Sequence, residues 1–98
     1  MTVKIFIKRR LKAGFVGKAS EMIIQARTNA LGEKGYISSE TLRSLEDPNE
    51  IVVVSMWENK SDWDRYKNSP SRVEMENKFR EFTDGPTLYA MYGLGLSD

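Results

Sequence analysis

The stretch that decides the fold is Ile51-Val-Val-Val-Ser-Met-Trp-Glu-Asn-Lys-Ser-Asp-Trp-Asp-Arg-Tyr66. Its first half is typical of a strand, because three consecutive valines disfavour helix and favour extended backbone. Its second half is typical of a helix start: Ser61 is the expected N-cap, and the aspartates after it favour the positive end of a helix dipole. Both tryptophans of the chain, Trp57 and Trp63, therefore lie at one strand-to-helix corner.

Length and composition restrict the class of protein. The chain has 98 residues, 40% of them hydrophobic and 30% charged, with a formal net charge of +1. These values are typical of one globular domain, which we expect to span residues 1–98. A charge this small gives no reason to expect nucleic acid or an anionic membrane as a partner. We interpret the basic run KRRLK, at residues 8–12, as the solvated end of a strand and its loop.

Two residue types are missing, and their absence excludes several kinds of site. The chain contains no cysteine, which rules out disulfides, thiolate metal sites and cysteine nucleophiles. It also contains no histidine, which is the usual general base near neutral pH and a common ligand of zinc and haem iron. We therefore predict no metal site and no cofactor. No apolar run is long enough for a membrane span and no signal peptide is recognisable, so we expect a cytoplasmic protein without a membrane partner.

The hydrophobic period changes along the chain and predicts the order of its elements. Apolar residues recur at every second position where strands are expected, and at three- and four-residue steps where helices are expected. The dipeptide Ser69-Pro70 is typical of a helix start, so we expect the second helical region to break near Asn68. The predicted strands lie near residues 3–8, 35–47, 50–57 and 87–94, and the predicted helices lie near residues 15–31, 61–68 and 70–82.

This order, β-α-β-β-α-β, predicts an α+β fold of the ferredoxin-like kind. Two βαβ halves with right-handed crossovers give a four-stranded antiparallel sheet with the helices on one face. The other face should then be polar, yet three of the predicted strands are apolar on both faces. Exposed in a monomer, these side chains would form a patch larger than a soluble protein usually tolerates. Their burial is worth on the order of 10 kcal/mol, comparable to the roughly 4–15 kcal/mol that association costs.

We therefore predict a homodimer in which the two sheets pack face to face. The same patch on both subunits would form a two-fold interface. The side chains assigned to this interface are Phe6, Val52, Val54, Met56, Tyr89 and Met91.

The corner at Trp57 also resembles a known family. The stretch IVVVSMWENKSDWDRYKNSP, residues 51–70, is similar to the signature of the antibiotic biosynthesis monooxygenase (ABM) family, in which Trp-Glu follows an apolar strand and precedes a short helix and a Ser-Pro-like break. The segment EKGYISSETL, residues 33–42, resembles the glycine turn and second strand of that family. The resemblance covers Val3 to about Leu94. It implies a dimeric α/β barrel with a pocket between the sheet and the helices of each subunit.

The resemblance also implies an activity. Some members oxidise aromatic polyketides or quinols with molecular oxygen and no cofactor, and others degrade haem. Oxidation without a cofactor is physically reasonable, because a deprotonated phenol or enol can pass an electron to oxygen if the protein binds it, orients it and excludes water. We therefore predict a cofactor-independent monooxygenase of a small aromatic or quinol-like compound. The alternative is a non-catalytic dimer that binds a small molecule in the same pocket.

Carried over by position, the resemblance places Trp57 at the pocket and Trp63 where the polyketide-oxidising type has a tyrosine. Three positions depart from the family pattern. Val53 occurs where that type has a pocket asparagine, and Tyr66 where many members have a histidine. Glu76 occurs where the haem-degrading type has its iron-binding histidine. These departures argue against haem degradation and leave the catalytic residues unassigned.

Each pocket candidate also has a purely structural interpretation. Trp57 and Trp63 could fill the space between helix and sheet as well as line a cavity. Tyr66 follows Trp63 by three residues on the same side of a helix, so its hydroxyl faces either a ligand or solvent. Glu76 is either a surface residue or a poorly suited general base. The sequence leaves these alternatives open for the four candidates Trp57, Trp63, Tyr66 and Glu76.

Overall fold

The computed structural model describes residues 1–96, and its elements follow the predicted order. They are β1 Val3–Arg10, α1 Val16–Ala30, β2 Tyr36–Arg43, β3 Glu50–Trp57, α2 Lys60–Lys67, α3 Pro70–Phe79 and β4 Leu88–Gly93. The strands form one antiparallel sheet in the order β2-β3-β1-β4, with the helices over one face. The predicted α+β, ferredoxin-like fold is confirmed. Within residues 1–96, no helix combines the length and the apolar character needed to cross a bilayer.

The pairing of β1 with β3 fixes which side chains reach the core. The register runs from Val3 opposite Trp57 to Arg10 opposite Glu50. Directly paired residues of an antiparallel ladder project to the same face of the sheet. The helix-covered face therefore carries, from β1, Val3, Ile5 and Ile7, all of them buried. It also carries Trp57 from the end of β3.

Two hydrophobic clusters fill the space between the sheet and the helices. One surrounds the tryptophan corner, and the other lies where α1 and the end of α3 meet the opposite end of the sheet. The first comprises Val3, Ile5, Ile7, Ala30, Trp57, Trp63 and Tyr66. The second comprises Leu11, Ala19, Ile51, Phe79 and Phe82.

The structure confirms one predicted helix cap and corrects two predicted helix boundaries. Ser69 caps α3 as predicted, because its hydroxyl accepts the backbone N–H of Arg72 and Pro70 follows at the first helical position. Helix α2 begins earlier than predicted, with Asn59 rather than Ser61 at the N-cap. Helix α3 ends at Phe79 instead of near Phe82, because the chain then makes tighter turns that lead into a bridge between Leu11 and Thr83.

The uncovered face of the sheet carries the predicted apolar row on β3, whereas on β1 it carries Phe6 between Lys4 and Lys8. Phe6 pairs with Val54, and Val52 and Met56 flank Val54 on the same face. On β4, however, the predicted alternation is wrong by one residue.

Tyr89 and Met91 pair with Ile7 and Ile5, so both project to the helix-covered face and not to the face of Phe6. The sequence could not distinguish the two faces, because both sets of β4 residues are apolar. The ring of Tyr89 packs 6.1 Å from that of Trp63, which holds it on the helix side. The β4 side chains that share the face of Phe6 are Leu88, Ala90 and Tyr92.

Candidate functional site

A small cavity lies between α1, the sheet and the helices α2 and α3. Its volume is ≈ 60 Å³, and its lining combines an aromatic wall with two buried arginines. An apolar cavity of about 150 Å³ holds benzene, so this smaller space accommodates a few water molecules in its present form. A larger ligand requires lining side chains to move. Met75, a flexible side chain in the lining, is suited to such a movement.

The structure brings together the three aromatic candidates of the tryptophan corner. The rings of Trp57 and Tyr66 stack with centroids 5.2 Å apart, and Trp63 lies 6.0 Å from Trp57 and 6.3 Å from Tyr66. All three are buried, and all three line the cavity. Core packing and cavity wall are therefore the same role for these side chains. The indole N–H of Trp57 donates to the Ser55 hydroxyl at 3.2 Å, which fixes the plane of the ring.

The hydroxyl of Tyr66 points inward, which decides between the two orientations left open by the sequence. It donates to the carbonyl oxygen of Ala26 across 3.5 Å, a long and therefore weak hydrogen bond. Burial raises the pKa of Tyr66, and the nearby Arg72 charge offsets only part of that rise. Tyr66 is therefore a neutral phenol near neutral pH, able to donate to a ligand oxygen in place of Ala26.

Arg9 is buried in this wall, and the prediction of a solvated basic run is wrong for it. Only 5% of Arg9 is exposed. It shares strand parity with Ile5 and Ile7, so it projects to the helix-covered face. Its guanidinium carbon lies 4.1 Å from the centroid of the Phe79 ring, and its Nη2 donates to Glu76 Oε2 at 2.9 Å.

Glu76 is neither a surface residue nor a free base. Its Oε2 accepts from Arg9 and lies 3.6 Å from Nη1 of the buried Arg72, while its Oε1 accepts from the Thr87 hydroxyl. Burial alone would raise the pKa of Glu76, but the hydrogen bond and charge of Arg9, with Thr87 and Arg72, hold that pKa below its usual range. Glu76 does not line the aromatic cavity; it lines a separate cleft beside α3. It is an ionised partner of the two arginines.

Sequence reasoning missed both arginines, although periodicity contains the signal for each. Arg9 continues the alternation of Val3, Ile5 and Ile7 by one further step. Arg72 lies three residues before Met75 and seven before Phe79, so it shares their helical face. Treating charged residues as solvated concealed both positions.

A chain of hydrogen bonds crosses the cavity lining between α1 and β2. Arg27 Nε donates to Ser39 Oγ at 3.1 Å, and the same hydroxyl lies 2.8 Å from the hydroxyl of Tyr36. Arg27 is exposed, and Tyr36 and Ser39 are half-buried, so this is a side on which the cavity approaches solvent. Over residues 1–96, acidic side chains do not form a group of three or more that could hold a metal ion.

Comparison with known families assigns the chain. The family model described as antibiotic biosynthesis monooxygenase matches residues 2–78. The chain belongs to the ABM family. A search of curated proteins found no matching sequence.

Solved structures share the fold of this ABM-family chain at low sequence identity. A conserved protein from Methanosarcina mazei has a TM-score of 0.86 and 20% identity, covering 94% of this chain and 91% of its own. Rv0793 from Mycobacterium tuberculosis has a TM-score of 0.85 and 14% identity, covering 100% and 98%. A variant of SnoaB from Streptomyces nogalater, described as a cofactor-independent oxygenase, has a TM-score of 0.85 and 10% identity, covering 98% and 95%. At these identities the likeness establishes the fold.

Proposed function

We propose that this ABM-family chain is a cofactor-independent monooxygenase that oxidises a small aromatic or quinol-like compound with molecular oxygen. The observation that carries the proposal is the buried aromatic wall of Trp57, Trp63 and Tyr66 beside a cavity. Aromatic rings attract flat rings in offset-stacked or edge-to-face arrangements, with centroids about 4.5–7 Å apart. SnoaB, which shares the fold, is described as an oxygenase of this kind.

The reaction depends more on positioning of the substrate than on catalytic side chains. The ionised substrate gives one electron to oxygen, and the resulting radical pair combines to a peroxide on the substrate carbon. In a substrate with a reacting CH₂ group, such as an anthrone, loss of water from that peroxide leaves a ketone, so that the CH₂ group and O₂ become a C=O group and H₂O. The protein binds the ring, orients the reacting carbon and keeps bulk water out. In this proposal Trp57 and Tyr66 hold the ring, and the Tyr66 hydroxyl donates to a substrate oxygen.

The proposal includes a homodimer formed by the uncovered sheet faces. The residues that support it lie on one surface: Phe6 is half-buried, and Leu88 and Tyr92 of β4 are more than half exposed. A second copy of the same surface would cover them and remove this apolar area from water. The dimer would brace the sheet that forms one wall of the cavity.

A second candidate function is binding without catalysis. The observation that favours it is the absence of a carboxylate from the cavity lining, within the part of the chain that the structure describes. The ionisable side chains that line the cavity are arginines and tyrosines, none of which accepts a proton readily near neutral pH. A binder needs only the aromatic wall.

Oxygen consumption with an anthrone and a naphthohydroquinone separates the two candidates. We expect the protein to raise the rate of oxygen uptake above that of a boiled sample, with saturation in substrate. Tryptophan fluorescence titration with the same compounds under anaerobic conditions measures binding independently. Binding without faster oxygen uptake would replace the oxygenase by the binder. The absence of both binding and faster oxygen uptake across the panel would reject the pocket as a ligand site.

A further inference from the structure

We propose that Arg9 and Arg72 form an anion-binding subsite in the cavity wall, so that the ligand of this pocket carries an oxyanion. The shared chemistry is a delocalised negative oxygen on an aromatic frame, either a phenolate or enolate, or a carboxylate. This proposal rests on the pocket being a small-molecule site, as proposed above. It does not require that the ligand be oxidised.

Buried positive charge exceeds buried negative charge beside the cavity. Arg9 and Arg72 are only 5% and 7% exposed, and both line the cavity. Among residues 1–96, the one carboxylate within ion-pair distance of either guanidinium is that of Glu76. Two buried positive charges thus share one negative charge and leave a net charge of +1. A buried charge without compensation is costly, and a bound anion would compensate it.

One hydrogen-bond donor of Arg9 is unsatisfied. Arg9 Nε is buried and has no hydrogen-bond partner among the described residues. Buried polar groups are almost always paired, and an unpaired donor on a charged group is among the more costly exceptions. An oxyanion in the cavity would accept this hydrogen bond. The excess positive charge and the unpaired donor therefore both favour an anionic ligand over a neutral one.

Both guanidiniums are held in place without a ligand. The Arg9 group lies 4.1 Å from the centroid of the Phe79 ring and is anchored to Glu76 by a 2.9 Å hydrogen bond. Arg72 Nη2 donates to the Tyr89 hydroxyl at 2.9 Å. Donors fixed in advance lose little conformational freedom when they bind, which makes them effective for a charged ligand.

The subsite would also supply the missing ionisation step of the proposed oxygenase. A positive charge within about 4–6 Å favours the ionised form of a group, and lowers the pKa of a carboxyl by about 1–3 units. The same effect on a bound phenol would raise its phenolate fraction without a general base. The phenolate or enolate is the form that gives an electron to oxygen. A cavity lined by arginines and no carboxylate would then be suited to its substrate.

The test compares ligands of nearly equal size and shape that differ in charge and cannot be oxidised by this chemistry. Benzoate is compared with benzamide, and 2-naphthoate with naphthalene-2-carboxamide, so that ligand size is controlled within each pair. Affinity is measured by calorimetry near neutral pH, and the Arg9 Nε–H resonance is followed by ¹⁵N-correlated NMR. We expect each carboxylate to bind about 10–100-fold more tightly than its amide, because a hydrogen bond to a charged group is stronger than a neutral one. We also expect the Arg9 Nε–H signal to move with the carboxylate only.

A fifth ligand, 2-naphthol, distinguishes phenolate from carboxylate recognition. At a pH just below its free pKa, binding to a phenolate site should increase the naphtholate absorption band. An increase with tighter naphthoate binding indicates a general oxyanion site. Tighter naphthoate binding without the increase restricts the subsite to carboxylates, and leaves the proposal standing in that form.

Two variants locate the effect. Arg9→Met keeps the apolar stem and removes the charge, and should abolish the preference for carboxylates; Arg9→Lys should restore part of it. The matched control is Arg10→Met, which removes the neighbouring, exposed arginine that pairs with Asp47, and should leave the preference unchanged. Equal affinity of carboxylate and amide for the unmodified protein overturns the proposal without reference to any variant. Faster oxygen uptake with such equal affinity would keep the oxygenase and reject the subsite, and charge preference without oxygen uptake would do the opposite.

Discussion

The rings of Trp57 and Tyr66 stack with their centroids 5.2 Å apart and their planes 30° from parallel. One ring ends strand β3 and the other belongs to helix α2, so this contact closes the corner at which the chain turns from sheet to helix. The same two rings face the cavity. Stability and the proposed ligand binding therefore depend on the same atoms, and a variant that tests function must preserve the packing.

Trp57→Phe should destabilise the protein less than Trp57→Ala, which makes it the better variant for testing function. Truncation to alanine leaves a void in a fully buried site and should cost about 3–5 kcal/mol of unfolding free energy. Phenylalanine keeps a ring against Tyr66, so its cost should be clearly smaller. Urea denaturation measures both. The control is Ser55→Ala, which removes only the 3.2 Å hydrogen bond to the indole. Equal destabilisation by Phe and Ala at position 57 would contradict this account.

Glu76→Gln should destabilise the protein at neutral pH and flatten its acid sensitivity. The change leaves Arg9 and Arg72 without their shared carboxylate, which should cost about 3–5 kcal/mol as for other broken buried pairs. The pKa of Glu76 lies below its unfolded value when the chain is folded. Its contribution is therefore complete above the unfolded pKa and is lost as pH falls through the folded pKa.

Denaturation from about pH 7 to about pH 3 measures this dependence. The unmodified protein should lose more stability over that range than Glu76→Gln. Glu74→Gln is the control on the same helix: Glu74 is 71% exposed and pairs with Lys78 at 3.5 Å, so its removal should cost about 0–1 kcal/mol. Equal losses of unfolding free energy in Glu76→Gln and Glu74→Gln would contradict a special contribution of the buried network.

Gly35→Ala should destabilise the turn that leads into β2. Gly35 has a φ of +85°, a region that residues with a side chain rarely adopt, and its added Cβ would overlap the buried Asp62 carboxylate. Backbone strain of this kind costs about 1–3 kcal/mol, before the overlap is counted. Gly32→Ala is the matched control, because a Cβ there meets nothing within 4 Å. The thermal unfolding midpoints of the two variants are compared. Equal midpoints would contradict the predicted strain at Gly35.

The element order and sheet of this chain were predictable because each depends on local pattern. The valine run of β3 and the Ser69-Pro70 break are visible in a few residues, and both occur where expected. The aromatic candidates Trp57, Trp63 and Tyr66 were also identified from the sequence, because large aromatic side chains at a strand-to-helix corner are usually buried between the sheet and the helix.

The charged half of the cavity wall was not predicted, because it depends on tertiary partners. Arg9 looks like part of a solvated basic run until Glu76, 67 residues later, meets it in the fold. Which β4 side chains project to the helix-covered face was mispredicted for the same reason. The two sets of β4 side chains are both largely apolar, so tertiary contacts such as those of Tyr89 with Trp63 and Arg72 decide which set is covered.

Tyr66→Phe should remove part of the alkaline sensitivity of the protein. Burial raises the pKa of Tyr66 above 10.0, its value in the unfolded chain. Its contribution to stability is therefore complete below the unfolded pKa and is lost as pH rises through the folded pKa. Denaturation in this alkaline range should show a shallower decline for Tyr66→Phe than for the unmodified protein. A decline as steep in Tyr66→Phe as in the unmodified protein would contradict the prediction.

Ala90→Glu should convert the proposed dimer into folded monomers. Ala90 is exposed, and it pairs with Phe6 on the uncovered face of the sheet, so glutamate there places a charge inside the interface without removing a core side chain. A charge buried without a partner is strongly unfavourable, whereas in the monomer the same carboxylate would remain hydrated. Light scattering should give about twice the 11.2 kDa chain mass for the unmodified protein and about one chain mass for Ala90→Glu, with unchanged circular dichroism. Ala13→Glu makes the same substitution at an exposed position outside the sheet and should remain dimeric. A monomeric unmodified protein at micromolar concentration, or a dimeric Ala90→Glu, would show that this face is not where two copies meet.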